Sequence, residues 1–298
     1  MNEKLKSTLK YLVYILILSL AISAIFGAFV EQNIGNVAMI KVDGIIMSQG
    51  TSTFGTQVST SEDIVKFIEE ADKNEAIKAI IVEINSPGGT PVASAEIADA
   101  LKAVNKTKVA WIREVGASGA YWVASSTDVI VAHPLSITGS IGVLGSYLEF
   151  SGLMQDYNVS YERFVYGKYK DLGTPYKKLS EDEKSLLQSK IDKIGEYFIA
   201  EVAKNRNMTV EKVKELATGE FYLGEEAKNL GLIDELGGKE KAYEIVKQKT
   251  NITSVEPVVY EKKQTFLDAI ASLVSEHGFF VGKGISSSLT QQKFEVTS

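Results

Sequence analysis

The order of apolar runs predicts an α/β protein on a mainly parallel sheet, preceded by one N-terminal transmembrane helix. Short β-branched runs alternate with helical patterns from residue 37 to beyond 200. Turns rich in glycine and proline directly follow several of those runs. An uncharged stretch, Tyr11–Val30, stands ahead of them all.

That front segment comes first. As a helix, Tyr11–Val30 would span roughly 30 Å, the thickness of a bilayer's hydrocarbon core. Lys4, Lys6 and Lys10 precede it and Glu31 follows, so the positive-inside rule places the N-terminus in the cytoplasm and the rest outside. A cleaved signal peptide is the alternative. Its apolar region would be shorter, with a small-x-small site behind it, whereas Ala21-x-Ser23 falls inside the run. The reading is therefore a cytoplasmic 1–10, an uncleaved anchor at 11–30, an extracytoplasmic domain at 31–262 and a tail at 263–298.

Beyond the polar spacer Asn33–Asn36, Val37–Val42 reads as a strand ending at Asp43-Gly44, and Met47–Ser59 as a polar loop. Ser59 and Glu62 fit a capping box for a helix whose apolar face includes Ile64, Val65, Phe67 and Ile68. Ala79–Ile84 is a buried strand running into Asn85-Ser86-Pro87-Gly88-Gly89, which reads as a turn. Val92–Val104 is a helix, Val109–Ile112 a strand, Ser118–Ser126 a small-residue helix, and Val129–Ala132 a strand broken by His133-Pro134. Tyr161–Val165 reads as a further strand. Leu179–Asn207 is a long helix with Ser180 and Glu183 as its capping box and Leu187, Ile191, Ile194, Phe198 and Val202 as its apolar stripe, and Val210–Ala217 is a shorter one.

Composition excludes several chemistries. The 298 residues include no cysteine and two histidines, so there are no disulfides, no thiolate nucleophile and no His-rich metal centre. No cofactor or metal is expected. The 32 Lys+Arg against 38 Asp+Glu leave a net charge of −6, the wrong sign for a general nucleic-acid binder. No motif carries His133 or His277, so neither is given a catalytic role. Asn-x-Ser/Thr triplets at Asn105, Asn158, Asn207 and Asn251 would matter only on an external domain.

Two turns follow strands: Ser86-Pro87-Gly88-Gly89 and Gly116-Ala117-Ser118-Gly119. In α/β sheets ligands gather at the carboxyl ends of strands. The first turn offers backbone N–H groups unobstructed by side chains. The second sets Ser118 at the mouth of a helix, where free N–H groups lie near its Oγ, the surroundings an oxyanion requires. The same position is also the commonest place for a serine that merely caps its helix.

These words, taken in order with Thr138-Gly-Ser-Ile-Gly142, Gly167-Lys-Tyr-Lys-Asp171, Thr218-Gly-Glu220 and Glu225–Asp234, resemble the signal peptide peptidase A family of membrane-anchored serine proteases. The resemblance covers roughly Val37 to Val246 and looks like a half-length member with one protease domain. It implies the Clp protease/crotonase fold and a Ser-Lys dyad, with Ser118 as nucleophile and Lys170 as general base. Backbone N–H groups of Gly88 or Gly89 and of Gly119 would form the oxyanion hole, and Ser140 would hold the lysine amine. It further implies hydrophobic peptide substrates such as remnant signal peptides, and a ring-like homo-oligomer in which serine and lysine come from neighbouring protomers.

The chemistry demands a neutral lysine. At its ordinary pKa of about 10.4 the amine is protonated near pH 7, and burial can lower that value by roughly 3–5 units. Lys168, Lys170, Lys177 and Lys178 cluster here and repel one another's protons, while Asp171 would oppose this unless its carboxylate faces elsewhere. Lys168 is the alternative base. Competing readings of the whole are a crotonase-type acyl-CoA enzyme, an inactive scaffold, or a relative cleaving one membrane protein, such as stomatin. In the tail, Phe266, Leu267, Ile270, Leu273 and Val274 form an apolar helical face that would pack on a neighbour, enter the site or fray.

Overall fold

The computed structural model describes residues 7, 10–20, 35–50 and 57–261. The chain divides into Met1–Tyr260 and Glu261–Ser298. Residues 10–20 form a helix, α1, with exposed apolar side chains. Among the described residues no helix is long and apolar enough to cross a membrane. The remainder of the expected span, 21–30, and the tail, 263–298, lie outside them.

Three long strands organise the rest: β1 (Val37–Met47), β3 (Ala79–Gly89) and β4 (Thr107–Ala117). They lie side by side and parallel, and their first halves pair residue for residue from Val37↔Ala79 and Ala79↔Thr107. Each then changes partners half-way. The first half of β1 pairs with β9 (Pro257–Tyr260) and its second half with β2 (Val58–Thr60). The first half of β4 pairs with β5 (Val129–Ala132), which pairs with β8 (Glu235–Leu236), while its second half pairs with β6 (Ile137–Gly139). Register shifts at Asp43/Ile45 and Ile84/Ser86 mark the change, and bulges of this kind bend strands. Among the described residues only β7 (Phe221–Leu223) pairs antiparallel, against β6.

Helices α2 (Ser61–Lys73), α3 (Pro91–Ala103), α4 (Gly119–Ser125) and α6 (Glu181–Asn205) enclose the larger core, with Ile40, Ile80, Ile97, Trp122, Phe198 and Val202 buried in it. Helix α9 (Lys239–Thr250) closes a second core against Met39, Ile81, Val109 and Val131. Between β6 and α6 runs a largely exposed stretch with one short helix, α5 (Ser151–Asp156). Helices α7 (Val210–Leu216) and α8 (Gly224–Asn229) follow α6.

The α/β class and the mainly parallel sheet are as expected, as is the Ser180/Glu183 capping box of α6. Three local readings are corrected. Helix α2 is capped by Thr60, which accepts from the Asp63 amide, because the Ser59 hydroxyl instead bridges the Asp43 backbone with two 2.8 Å hydrogen bonds. The stretch 85–89 is the second half of β3 and not a turn. Pro87 has no ladder partner on either side, so its missing N–H leaves no bond unmade. Residues 161–165, expected as a strand, are exposed and belong to no strand among the described residues, because β-forming residue types alone do not make a strand without a ladder partner.

Candidate active site

Ser118 follows directly on the last residue of β4 and precedes the first residue of α4. Its backbone sits at φ 53°, ψ −125°. A non-glycine residue there stores about 1–3 kcal/mol of strain, which the surroundings must hold in place. They do so on both sides. The Ser118 amide donates to Gly139 O at 2.8 Å, and its carbonyl accepts from the Trp122 amide at 3.0 Å. The whole of α4 is buried, and Tyr121 Oη anchors it by donating to Leu232 O at 2.8 Å. Thr138 Oγ1 donates to Gly116 O at 2.9 Å and ties β6 to β4 just ahead of the serine.

The Ser118 side chain makes no capping hydrogen bond to the helix it precedes, so the plain N-cap reading fails. The strained backbone is the reason: extended φ/ψ is what turns an N-cap hydroxyl back onto the helix amides. The hydroxyl is left beside two glycines. A Cβ on Gly88, which has φ 103°, would lie 2.8 Å from Gly119 N and 3.0 Å from Ser118 Cβ. A Cβ on Gly119 would lie 2.2 Å from Ser94 Oγ and 3.3 Å from Gly89 N. Only glycines permit this approach of β3 to the start of α4.

The amides are not equivalent. Gly88 N–H already donates to Ser86 Oγ at 3.0 Å. The Thr90 amide donates to Ile46 O at 2.9 Å, so the Gly89 amide, pointing to the opposite side of the strand, faces away from β1 and toward α4. Gly119 is the first residue of α4, so its N–H has no intrahelical acceptor. Gly89 and Gly119 thus offer the pair of donors, whereas Gly88 supplies the conformation.

Beside Ser118 opens a cavity of about 180 Å³ whose apolar wall is Pro91, Trp122, Val143, Leu144, Ile194 and Phe198. Trp122 and Phe198 stack with ring centroids 5.0 Å apart, joining α4 to α6. The sequence showed Ile194 and Phe198 only as part of a helical stripe. Nothing in that stripe says which core it meets.

Ser140 also has positive φ, at 49°, and its hydroxyl donates to Gly219 O at 3.1 Å. Lys170 lies elsewhere. It is exposed, it does not line the cavity beside Ser118, and among the described residues its ammonium has no hydrogen-bond or ion-pair partner. Its loop is nonetheless ordered by successive tight turns, with the Lys170 amide on Gly167 O, Leu172 on Tyr169 O and Thr174 on Asp171 O. Asp171 does face elsewhere, as expected. Its carboxylate takes two hydrogen bonds from Arg163, from Nε at 2.5 Å and Nη2 at 2.8 Å, and pairs with Lys177 at 3.6 Å. The Arg163 hydrogen bonds hold the Asp171 pKa down at about 2. Lys177 pairs in turn with Glu183, the capping-box residue of α6. Lys168 is a poor base. Hydrogen bonding to Tyr169 and to Asp182, the latter at 3.0 Å, raises its pKa and keeps it protonated.

The Peptidase family S49 model matches residues 100–253, which include both Ser118 and Lys170, and the Clp protease model matches residues 37–132. The chain belongs to peptidase family S49. This S49 chain is similar to a putative protease of Methanocaldococcus jannaschii, 32% identical over 244 residues, or 81% of this chain and 78% of that one. It is also 32% identical over 241 residues to a putative signal peptide peptidase SppA of Enterococcus faecium, covering 79% of this chain and 70% of the other. Among solved structures, a mutant of the 1510-N membrane-bound stomatin-specific protease shares the fold, with a TM-score of 0.51 at 16% identity over 77% of this chain and 99% of that one. The S49 chain is accordingly a serine peptidase of the signal peptide peptidase A type.

Proposed function

We propose that this S49 peptidase is a membrane-tethered endopeptidase that cleaves hydrophobic peptides, such as remnant signal peptides, with Ser118 as nucleophile and Lys170 as general base. The observation that carries the reading is the separation of the two. A strained serine with an unengaged hydroxyl sits beside free amides and an apolar cavity, while an ammonium without a partner stands on an exposed arm. Those halves make a working site only if the lysine is delivered from a second protomer. The arm suits such delivery, for Phe164 and Tyr166 are 92% and 100% exposed, rings that a second copy would cover. The active assembly in this reading is a homo-oligomeric ring, in which packing against a neighbour takes Lys170 out of water and so favours the neutral amine that a general base requires.

In the reaction, Lys170 Nζ takes the proton of Ser118 Oγ as that oxygen attacks the scissile carbonyl carbon. The carbonyl oxygen becomes an oxyanion that accepts hydrogen bonds from the Gly89 and Gly119 amides. Collapse of the tetrahedral intermediate breaks the C–N bond, and the lysine returns the proton to the leaving amine. Water, deprotonated by the same amine, then hydrolyses the acyl-serine. Ser140 bonds the incoming amine and orients it. The cavity wall of Trp122, Val143, Leu144, Ile194 and Phe198 takes an apolar side chain beside the cut. The uncharged Tyr11–Val30 segment would hold this site at the outer face of the membrane, where peptide remnants remain after secretion.

Ser118→Ala and Lys170→Ala each test the reading. In a fluorogenic hydrophobic peptide assay either substitution is expected to lower kcat by about 10⁴-fold or more, with the oligomer intact by light scattering. Turnover near wild type in either variant removes that residue from the dyad.

A further inference from the structure

We infer that Arg163, acting through Asp171, is a positioning residue for the catalytic lysine. The inference rests on the Ser118–Lys170 reading and adds to it the device that fixes the base before its serine arrives. Lys170 occupies a run of tight turns whose backbone hydrogen bonds, from Lys170, Leu172 and Thr174, all close within the run, so its aim depends on what pins that run. The pin is the residue next to it. Asp171 is gripped on both carboxylate oxygens by Arg163, a planar fork that fixes orientation as well as distance. Lys177 meets the same carboxylate at 3.6 Å and carries the connection at 2.5 Å to Glu183. Glu183 Oε2 accepts from the Ser180 amide at 2.9 Å, closing the first turn of α6. The loop that bears the base is thereby coupled to the helix whose Ile194 and Phe198 wall the cavity beside Ser118.

The grip has an electrostatic consequence too. A free carboxylate one residue from Lys170 would stabilise the ammonium and raise the pKa of the base, the wrong direction for a general base at neutral pH. Arg163 and Lys177 occupy that carboxylate instead. The charged and titratable groups facing Asp171 are Arg163 and Lys177, with Lys170 adjoining it in the chain and Tyr161 and Glu183 facing Arg163. Arg163→Met would leave Asp171 only the more distant Lys177 and allow its carboxylate to turn to Lys170.

The test measures kcat and KM of the full chain in detergent micelles from pH 6 to 10, with the fluorogenic peptide, for wild type and the variants. Arg163→Met should move the rising limb of kcat up by about one pH unit and lower kcat at pH 7.5 by about tenfold, with KM changed by less than about twofold. Arg163→Lys should recover part of that loss, since it keeps a cation but not the fork. Adding Asp171→Asn to Arg163→Met should bring the limb back toward its original position, because the freed carboxylate is gone. An unmoved limb in Arg163→Met overturns the inference, whether kcat stays at the wild-type level or falls equally at every pH. Lys170→Ala is run alongside. If it retains turnover, the dyad itself is wrong and the inference falls with it. If it is inactive while Arg163→Met leaves the limb in place, only the positioning role is lost.

Discussion

The two halves of the proposed dyad lie in regions built by opposite rules. Ser118 stands where three long parallel strands end, against a fully buried helix, with its strained backbone tied to Gly139 and Trp122. Lys170 stands on an arm of short turns that is held by ion pairs and bears the exposed rings of Phe164 and Tyr166. A buried core can store strain because many contacts over-determine it. An arm held by charges on the surface cannot, but it can be recognised by another copy. The difference teaches that, if the proposed dyad is right, this protomer carries a finished nucleophile and an unfinished base.

Substitutions on the two sides should therefore behave differently. The largest effect on folding belongs to the core. Phe198→Ala removes the ring stacked on Trp122 and should cost about 3–5 kcal/mol in chemical denaturation, while enlarging the cavity beside Ser118. A loss under about 1 kcal/mol would mean that the wall is not packed as described. The smaller effect belongs to the arm. Phe164→Ser should alter protomer stability by less than about 0.5 kcal/mol, as for most exposed positions, yet weaken the oligomer in sedimentation at low concentration. An unchanged assembly together with a marked loss of protomer stability would reverse the comparison, making the arm part of the protomer's own fold.

The same division governs what the sequence could disclose. Helix α6 and its capping box were legible because a local hydrogen-bonding pattern and an apolar stripe coincide in one short window. The strands were legible in their first halves, where short apolar runs are rich in valine and isoleucine. Their second halves were not, because Gly44, Asn85, Pro87 and Gly88 are turn formers locally, and only pairing with neighbours distant in sequence makes them strand. Ser118 and the two glycine turns stood out as residue types, but the free hydroxyl and the division of labour between Gly88 and Gly89 depend on φ/ψ values and on Ser86. Tyr161–Val165 misled for the converse reason: its tyrosine, phenylalanine and valine are strand formers by type, but among the described residues no strand pairs with it. The Arg163–Asp171 pair was invisible, since an Arg and an Asp eight apart in a loop carry no periodicity that marks them as neighbours.

The central claim is that the base is supplied in trans, and mixing inactive variants tests it most directly. Full-length Ser118→Ala and Lys170→Ala oligomers are combined in equal amounts under conditions in which subunit exchange is verified by fluorescence energy transfer, and peptide hydrolysis is followed. If each site takes its serine from one protomer and its lysine from the next, random mixing should restore about a quarter of the wild-type rate, one protomer boundary in four having both groups intact. Activity no higher than that of the separate variants, with exchange complete, would contradict the account and return both residues to a single chain.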